Sequence, residues 1–471
     1  MPSPPDSPHS TPQTAAQPDQ NVTATAYELP AEERPASASP TEGDLEHELP
    51  GAEAPSSHDP YAAFRYRDYL LYALGSGIAA IGGQMQAVAI SWEIYDRVKA
   101  AAGVRQAELA LGLVGLVLAI PVILLVLPAG QMADRYSRKK IVLIGQACMA
   151  LTSMALAALS YYQGPISWIY VILLLAGIAG TFSGPASSAI LPQLIPAELL
   201  SNAITWNSTR WQMAATLGPA LGGFLVATLH SYALIYVLDA ICVAAYFGFM
   251  AAIHVQHQQS AREPVNFQTL VAGLRFVRDT KVILATITLD MFAVLLGGAT
   301  MLLPVFAGEI LHVGASGLGW LRAAPAIGAL LMALALAHLP PMRRAGKTLQ
   351  WAVIGFGLAT IGFGLSRNFW LSMFMLALTG ALDNISVVVR HTLVQVLTPD
   401  AMRGRVSAVN SVFIGTSNEI GGYESGQVAY WFGPVASVVG GGIGTIITVI
   451  AVMLIWPQVG QLGSLDQAAE E

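Results

Sequence analysis

The stretch GQMADRYSRKK, Gly130 to Lys140, decides how the whole chain is read. Five charges fall within its last seven residues (Asp134, Arg135, Arg138, Lys139 and Lys140), and an apolar run long enough to cross a bilayer lies on each side. A soluble domain gains little from that arrangement. A polytopic membrane protein uses a short basic turn between two spans to set which side of the bilayer each helix end occupies.

The composition around this turn agrees. Of the 471 residues, 54% are hydrophobic and 11% charged, with a mean hydropathy of +0.56; soluble domains hold about a quarter charged residues. The formal net charge of −6 belongs to one end of the chain. Residues 1–60 hold eleven acids and a single base, Arg34, so the remainder is mildly basic. That first segment is rich in Pro, Ser, Ala and Glu and has no apolar run, the composition of a disordered acidic tail. It has no basic segment followed by an apolar one, so it does not read as a secretory signal. Cys148 and Cys242 both fall in apolar spans, which argues against a disulfide framework or a metal site.

A spanning helix takes ~20 mostly apolar residues. Twelve such segments are expected, near 69–95, 107–131, 141–162, 166–190, 203–228, 232–253, 282–308, 315–338, 349–366, 370–396, 406–431 and 434–456. The longest break, 254–281, follows the sixth. Within it, Asn266–Asp279 places apolar residues at 267, 270, 271, 274 and 277, the spacing of an amphipathic helix on a membrane surface. The expected fold class is therefore an all-α polytopic membrane protein with twelve transmembrane helices in two six-helix bundles. Its parts are a disordered cytoplasmic tail (1–60), a first bundle (61–253), a linker with an amphipathic helix (254–281), a second bundle (282–456) and a C-terminal tail (457–471). Counted over the loops, fifteen basic residues fall on the side of the Gly130–Lys140 turn and both termini, and four (Arg97, Lys99, Arg105 and Arg367) on the other. By the positive-inside rule both termini are expected in the cytoplasm.

With spans and turn in place, residues 61–456 resemble the major facilitator superfamily. Gly130-x-x-x-Asp134-Arg135-x-x-Arg138-Lys139 looks like its loop 2–3 signature, with Ser137 where glycine is usual. Gly218-Pro219-Ala220-Leu221-Gly222-Gly223 in the fifth span is similar to the signature of the superfamily's antiporters and exporters. LeuProGlnLeuIlePro (191–196), AspAsnIleSerValValValArg (383–390) and ThrProAspAlaMetArgGlyArgValSerAlaVal (398–409) resemble the branch that holds bacterial enterobactin exporters and secretion effectors. The resemblance implies a two-bundle, alternating-access transporter in the bacterial cytoplasmic (inner) membrane. It also implies a gate: Asp134, with Gly130, Arg135 and Arg138, would close the cytoplasmic side against the N-terminus of the eleventh span beside Arg403 and Arg405. A carboxylate suits that place, accepting from Arg and facing a helix N-terminus. Lys139 and Lys140 read as topology markers. Gly218, Pro219, Gly222 and Gly223 read as a close helix contact or hinge.

Ionisable groups inside spans are costly without partners or water, and so point to function or to structural ion pairs. Asp290 falls in the seventh span, Asp383 and Arg390 two turns apart in the tenth, and Glu419 in the eleventh. The seventh and tenth spans line the central path in the resembling superfamily. A carboxylate held out of water can exchange protons near neutral pH, which makes Asp290, Asp383 and Glu419 candidates for proton coupling. Arg210, Arg322 and Arg390 are candidate counter-charges or binders of an anionic substrate. Gln84 offers hydrogen bonds to a cavity, and Trp206 and Trp211 a stacking surface.

The expected function is thus a secondary active, proton-coupled exporter (an antiporter) of a small amphipathic molecule such as a siderophore, drug or metabolite. A lipid or lysolipid flippase and a non-transporting receptor or scaffold are the alternatives. No nucleophile–base pair or metal-ligand cluster suggests an enzyme, and no phosphate loop with GKS/T suggests ATP-driven transport. The expected working unit is a monomer in a lipid bilayer. It needs no cofactor beyond a proton gradient, no metal and no nucleic-acid partner.

Overall fold

Apolar runs bounded by Gly, Pro and short polar turns become helices because a backbone inside a bilayer must satisfy its own hydrogen bonds. The computed structural model describes residues 59–254, 267–297, 299–339, 342 and 344–463. The acidic tail up to residue 58, most of the linker and residues 464–471 lie outside the described residues. The first bundle comprises α1 (Arg67–Ala102), α2 (Val104–Arg135), α3 (Arg138–Tyr161), α4 (Ser167–Ile190), α5 (Leu200–Leu229) and α6 (Tyr232–Ala252). α7 (Phe267–Asp279) leads into α8 (Lys281–Leu296), the short α9 (Leu303–Val305), α10 (Gly314–His338), α11 (Ala345–Leu365) and α12 (Phe369–Leu397). α13 (Asp400–Phe432), α14 (Pro434–Ile455) and the short α15 (Gln458–Gln461) complete the second bundle.

Among the described residues, eleven helices are long and apolar enough to cross a membrane. α13 is the expected crossing that does not reach that hydropathy by itself. It carries Arg403, Arg405, Glu419 and Glu424, and it can do so because it packs along α2, α8 and α14. The seventh span is not the continuous helix expected over 282–308. α8 stops at Leu296, Gly297 follows, and the chain resumes through the turn Ala299–Leu302, α9 and a wide turn Phe306–Ile310. Pro304, which has no N–H to give to the preceding turn, opens α9. α7 forms as its spacing predicts, but Val277 on it is buried among Ile283, Ile287, Val394, Val406 and Val409. It therefore seats on the start of α13 as well as facing outward.

The Gly130–Lys140 turn marks one end of the bundle, here the basic face; the opposite end is the far face. At the far face, single glycines at φ +90°, Gly103 and Gly433, turn α1 into α2 and α13 into α14; a side chain there would be strained. The bundles meet along two seams, α2 on α13 and α5 on α10. Small residues allow the close approach: a Cβ on Gly112 would stand 2.9 Å from the Gly426 Cα, and one on Gly223 would stand 2.7 Å from the Gly319 Cα. Both contacts lie in the far half of the helices.

Candidate functional site

In the second bundle the buried charges come together across two helices. Arg390 on α12 forms an ion pair with Asp290 on α8. Asp290 is 5% exposed and Arg390 3%. Sequence spacing put Arg390 on one helix face with Asp383 and left open which carboxylate it answers. Among the described residues Asp383 makes no ion pair. It lies two helical turns farther from the basic face and lines a cavity of about 290 Å³ with Thr300, Thr360, Thr379 and Asn418. Arg390 Nε finds no acceptor among the described residues, so the pair keeps one buried donor in reserve.

Glu419 on α13 and Arg322 on α10 lie within electrostatic reach of each other but form no ion pair among the described residues. Arg322 instead reaches across the seam to Ala87 O at 3.5 Å and Ser91 Oγ at 3.4 Å on α1. Glu419 Oε2 is buried and has no hydrogen-bond partner among the described residues. α13 begins at Asp400, six residues before the expected span, which places Glu419 nineteen residues from the helix start.

The first bundle supplies a cation that forms no ion pair among the described residues. Arg210 on α5 donates to Ser76 Oγ and Asn207 Oδ1, and its guanidinium lies 5.6 Å from the centre of the Tyr72 ring. It lines a cavity of about 280 Å³ with Tyr69, Tyr72, Trp206 and Asn207. Trp206 is only partly available for stacking. Its indole donates to Pro60 O at 2.8 Å, and Tyr61 and Phe64 pack on it at 5.5 and 4.9 Å. Gln84 makes no side-chain hydrogen bond among the described residues; it lies against Gly218, and Met85 lies against Gly222. The Gly218–Gly223 motif therefore packs α5 onto α1 at the first two glycines and onto α10 at Gly223. A polar chain that the sequence did not suggest runs from Gln86 Nε2 to Ser153 Oγ (2.8 Å) and from Ser153 Oγ to Asp239 Oδ2 (2.6 Å). Glu93 is held by Arg97 at 3.0 Å and by the Tyr236 hydroxyl at 2.7 Å.

At the far face Lys99 and Arg105, which counted in the sequence only toward the charge bias, take part in contacts between the bundles. Tyr95 Oη donates to Glu309 Oε1 at 2.5 Å, and Lys99 pairs with the same carboxylate. Arg105 Nε donates to Tyr430 O at 3.0 Å, with its guanidinium 5.4 Å from that ring's centre. These contacts join the first bundle to the second. Arg322 on α1 and Gln212 Nε2 on Ala326 O add further side-chain contacts between the bundles. All lie from mid-helix to the far face.

The basic face contrasts. Among the described residues Asp134 makes no ion pair or side-chain hydrogen bond. Arg403 Nε donates to Gln395 O (3.1 Å) and Thr398 O (3.2 Å) at the α12–α13 junction. Arg405 Nη1 contacts Met402 Sδ at 3.5 Å. Arg138 donates to Ala133 O (3.4 Å) and Ala189 O (3.1 Å), tying α3 to α2 and α4. Lys139 Nζ donates to Ala251 O (2.8 Å) and Ile253 O (2.6 Å), capping the end of α6 where the helix dipole is negative. Gly130 has open space around it.

Residues 58–470 match the family described as transmembrane secretion effector. The chain belongs to that family, a branch of the major facilitator superfamily. Among similar proteins, an enterobactin exporter of Citrobacter koseri is 28% identical over 329 residues, 69% of this chain and 78% of the relative. An Escherichia coli enterobactin exporter is 26% identical over the same shares. Among solved structures, a peptide transporter shares the fold with a TM-score of 0.65 at 12% identity, covering 87% of this chain and 100% of that one. A bacterial homologue of ferroportin in an inward-facing state follows with a TM-score of 0.61 at 14% identity, covering 85% and 99%. This secretion effector is thus an integral membrane transport protein of the major facilitator fold.

Proposed function

We propose that this secretion effector is a proton-coupled exporter of small amphipathic anions, siderophores among them, in a bacterial cytoplasmic membrane. Both termini and the basic face are on the cytoplasmic side. The observation that carries the reading is the buried Asp290–Arg390 pair on the seventh and tenth spans. Breaking such a pair inside a low-dielectric bundle costs several kcal/mol, unless a proton or an anionic ligand takes the missing partner's place. Proton on Asp290 and anion on Arg390 are then alternative ways to satisfy the same site, which is the logic of antiport. Asp383, lining the cavity two turns deeper, extends the proton path toward mid-membrane. Arg210, with a polar and aromatic lining, offers a second anion contact from the first bundle. The enterobactin exporters to which the chain is similar support export and a siderophore as first probe.

In this reading the structure is the state open to the cytoplasm, with the Tyr95–Lys99–Glu309 clasp closed and the Asp134 gate released. The test is uptake of enterobactin into inside-out vesicles under an imposed pH gradient. Wild type accumulates the ligand, Asp290→Asn and Asp383→Asn lower pH-driven uptake by at least tenfold, and Arg210→Gln weakens apparent affinity by about tenfold. Full pH-driven uptake in both carboxylate variants would remove the coupling assignment.

A further inference from the structure

On the side of the first bundle, α2, α3 and α4 enclose a groove of about 490 Å³, apart from the buried charges described above. Met132, Ile144, Cys148, Leu151, Leu175 and Phe182 line it, and its walls are almost wholly carbon. Ile144 and Leu151 are more than 60% exposed. Inside a span, such side chains meet acyl chains rather than water. Toward the basic face the groove runs into a wider depression of about 850 Å³, sharing Met132, Ile141 and Ile144 with it. Arg135 and Lys140 border that depression.

The four basic residues of the turn divide into two kinds. Arg138 and Lys139 are engaged by backbone carbonyls. Lys140 makes no hydrogen bond or ion pair among the described residues, and Arg135 lies only over the Tyr136 ring, 6.0 Å from its centre. Both side chains are exposed. The carboxylate of the turn, Asp134, borders neither hollow. Two uncommitted cations at the membrane surface therefore stand directly above an apolar channel that descends into the span.

We propose that this groove is a binding site for an anionic phospholipid of the adjoining leaflet. The headgroup phosphate sits between Arg135 and Lys140, and one acyl chain lies along α3 past Cys148 toward Leu175. A zwitterionic lipid has the chain but not the net charge; a free phosphate has the charge but not the chain. A bound anionic lipid would also neutralise the cations flanking Asp134, linking the leaflet's composition to the gate.

The test uses the full-length protein, purified in detergent and exposed to equimolar dioleoyl phosphatidylglycerol and phosphatidylcholine. Retained lipid is read by native mass spectrometry, and folding by the thermal transition. Wild type retains phosphatidylglycerol in preference. Arg135→Gln and Lys140→Gln each lower that preference about fivefold, the loss expected for one surface cation. Cys148→Trp, which fills the groove and leaves both cations, lowers retention of both lipids. Equal retention of the two lipids by wild type overturns the proposal, as does a preference unchanged in the folded double glutamine variant. Displacement of the lipid by millimolar inorganic phosphate would make the site one for free anions and would overturn it too.

Discussion

Replacing Glu309 with Gln should loosen the far face and shift the molecule toward the opposite opening. The carboxylate accepts from Tyr95 Oη at 2.5 Å and pairs with Lys99. Side-chain exposures of 42% for Lys99 and 31% for Glu309 mean that water screens the pair. A partly exposed ion pair contributes on the order of 0.5 kcal/mol. The charge-assisted hydrogen bond from Tyr95, discounted for the same exposure, adds about 1 kcal/mol. A loss of about 1.5 kcal/mol changes the ratio of far-closed to far-open molecules roughly tenfold. The seams at Gly112–Gly426 and Gly223–Gly319 remain, so the protein should stay folded. Spin labels on cysteines replacing Ala101 and Phe432, in a background with Cys148 and Cys242 changed to Ser, report the separation across the far face. Wild type should give one short distance, and Glu309→Gln a second, longer population that Lys99→Met, which removes only the ion pair, shows to a smaller extent. An unchanged distribution in both variants would show that the clasp does not hold the state.

Arg390→Ala strands Asp290 in the bundle and should lower stability by about 3 kcal/mol. Adding Asp290→Asn should recover most of the loss, read as the thermal transition of the purified protein; an undisturbed single variant would mean the two groups are not coupled. Gly426→Val places side-chain carbon against Gly112, where a Cβ would already be 2.5 Å from the Gly112 Cα. The variant should separate α2 from α13 and raise the far-open population by the same spin-label measurement; retention of the wild-type distance would contradict the seam. Asp134→Asn should favour the arrangement open at the basic face, because it weakens a contact made only in the other state. Labels at the basic-face ends of α2 and α13 would report this, and a shift toward closure there would refute the gate.

Most of the fold was legible because bilayer physics leaves few choices. The ends of α4, α6, α10, α12 and α14 fall within a residue or so of the apolar runs that predicted them, since a span stops where its sequence turns polar or meets Gly and Pro. The broken seventh span was not legible. Its composition is as apolar as its neighbours, and only Gly297 and Pro304 hinted at the interruption. The charged residues of the site could be named from the cost of burying them, but not paired. Asp383 shares a helix face with Arg390, whereas Asp290 reaches it through a helix contact that spacing does not encode. The far-face clasp was missed for a related reason. Lys99 and Arg105 looked like exceptions to a charge bias until Glu309 was brought beside Lys99, and Tyr430 beside Arg105, across the seam.

The central claim is that protons and substrate share the Asp290–Arg390 site in turn. Its most direct test is the proton movement that a substrate gradient alone produces in sealed proteoliposomes containing a trapped pH indicator. With wild type, an outward-directed enterobactin gradient should drive a counter-flow of protons inward, and Asp290→Asn should abolish that pH change while ligand exchange continues. Substrate flux with no pH change in wild type, or an undiminished pH change in Asp290→Asn, would contradict the account.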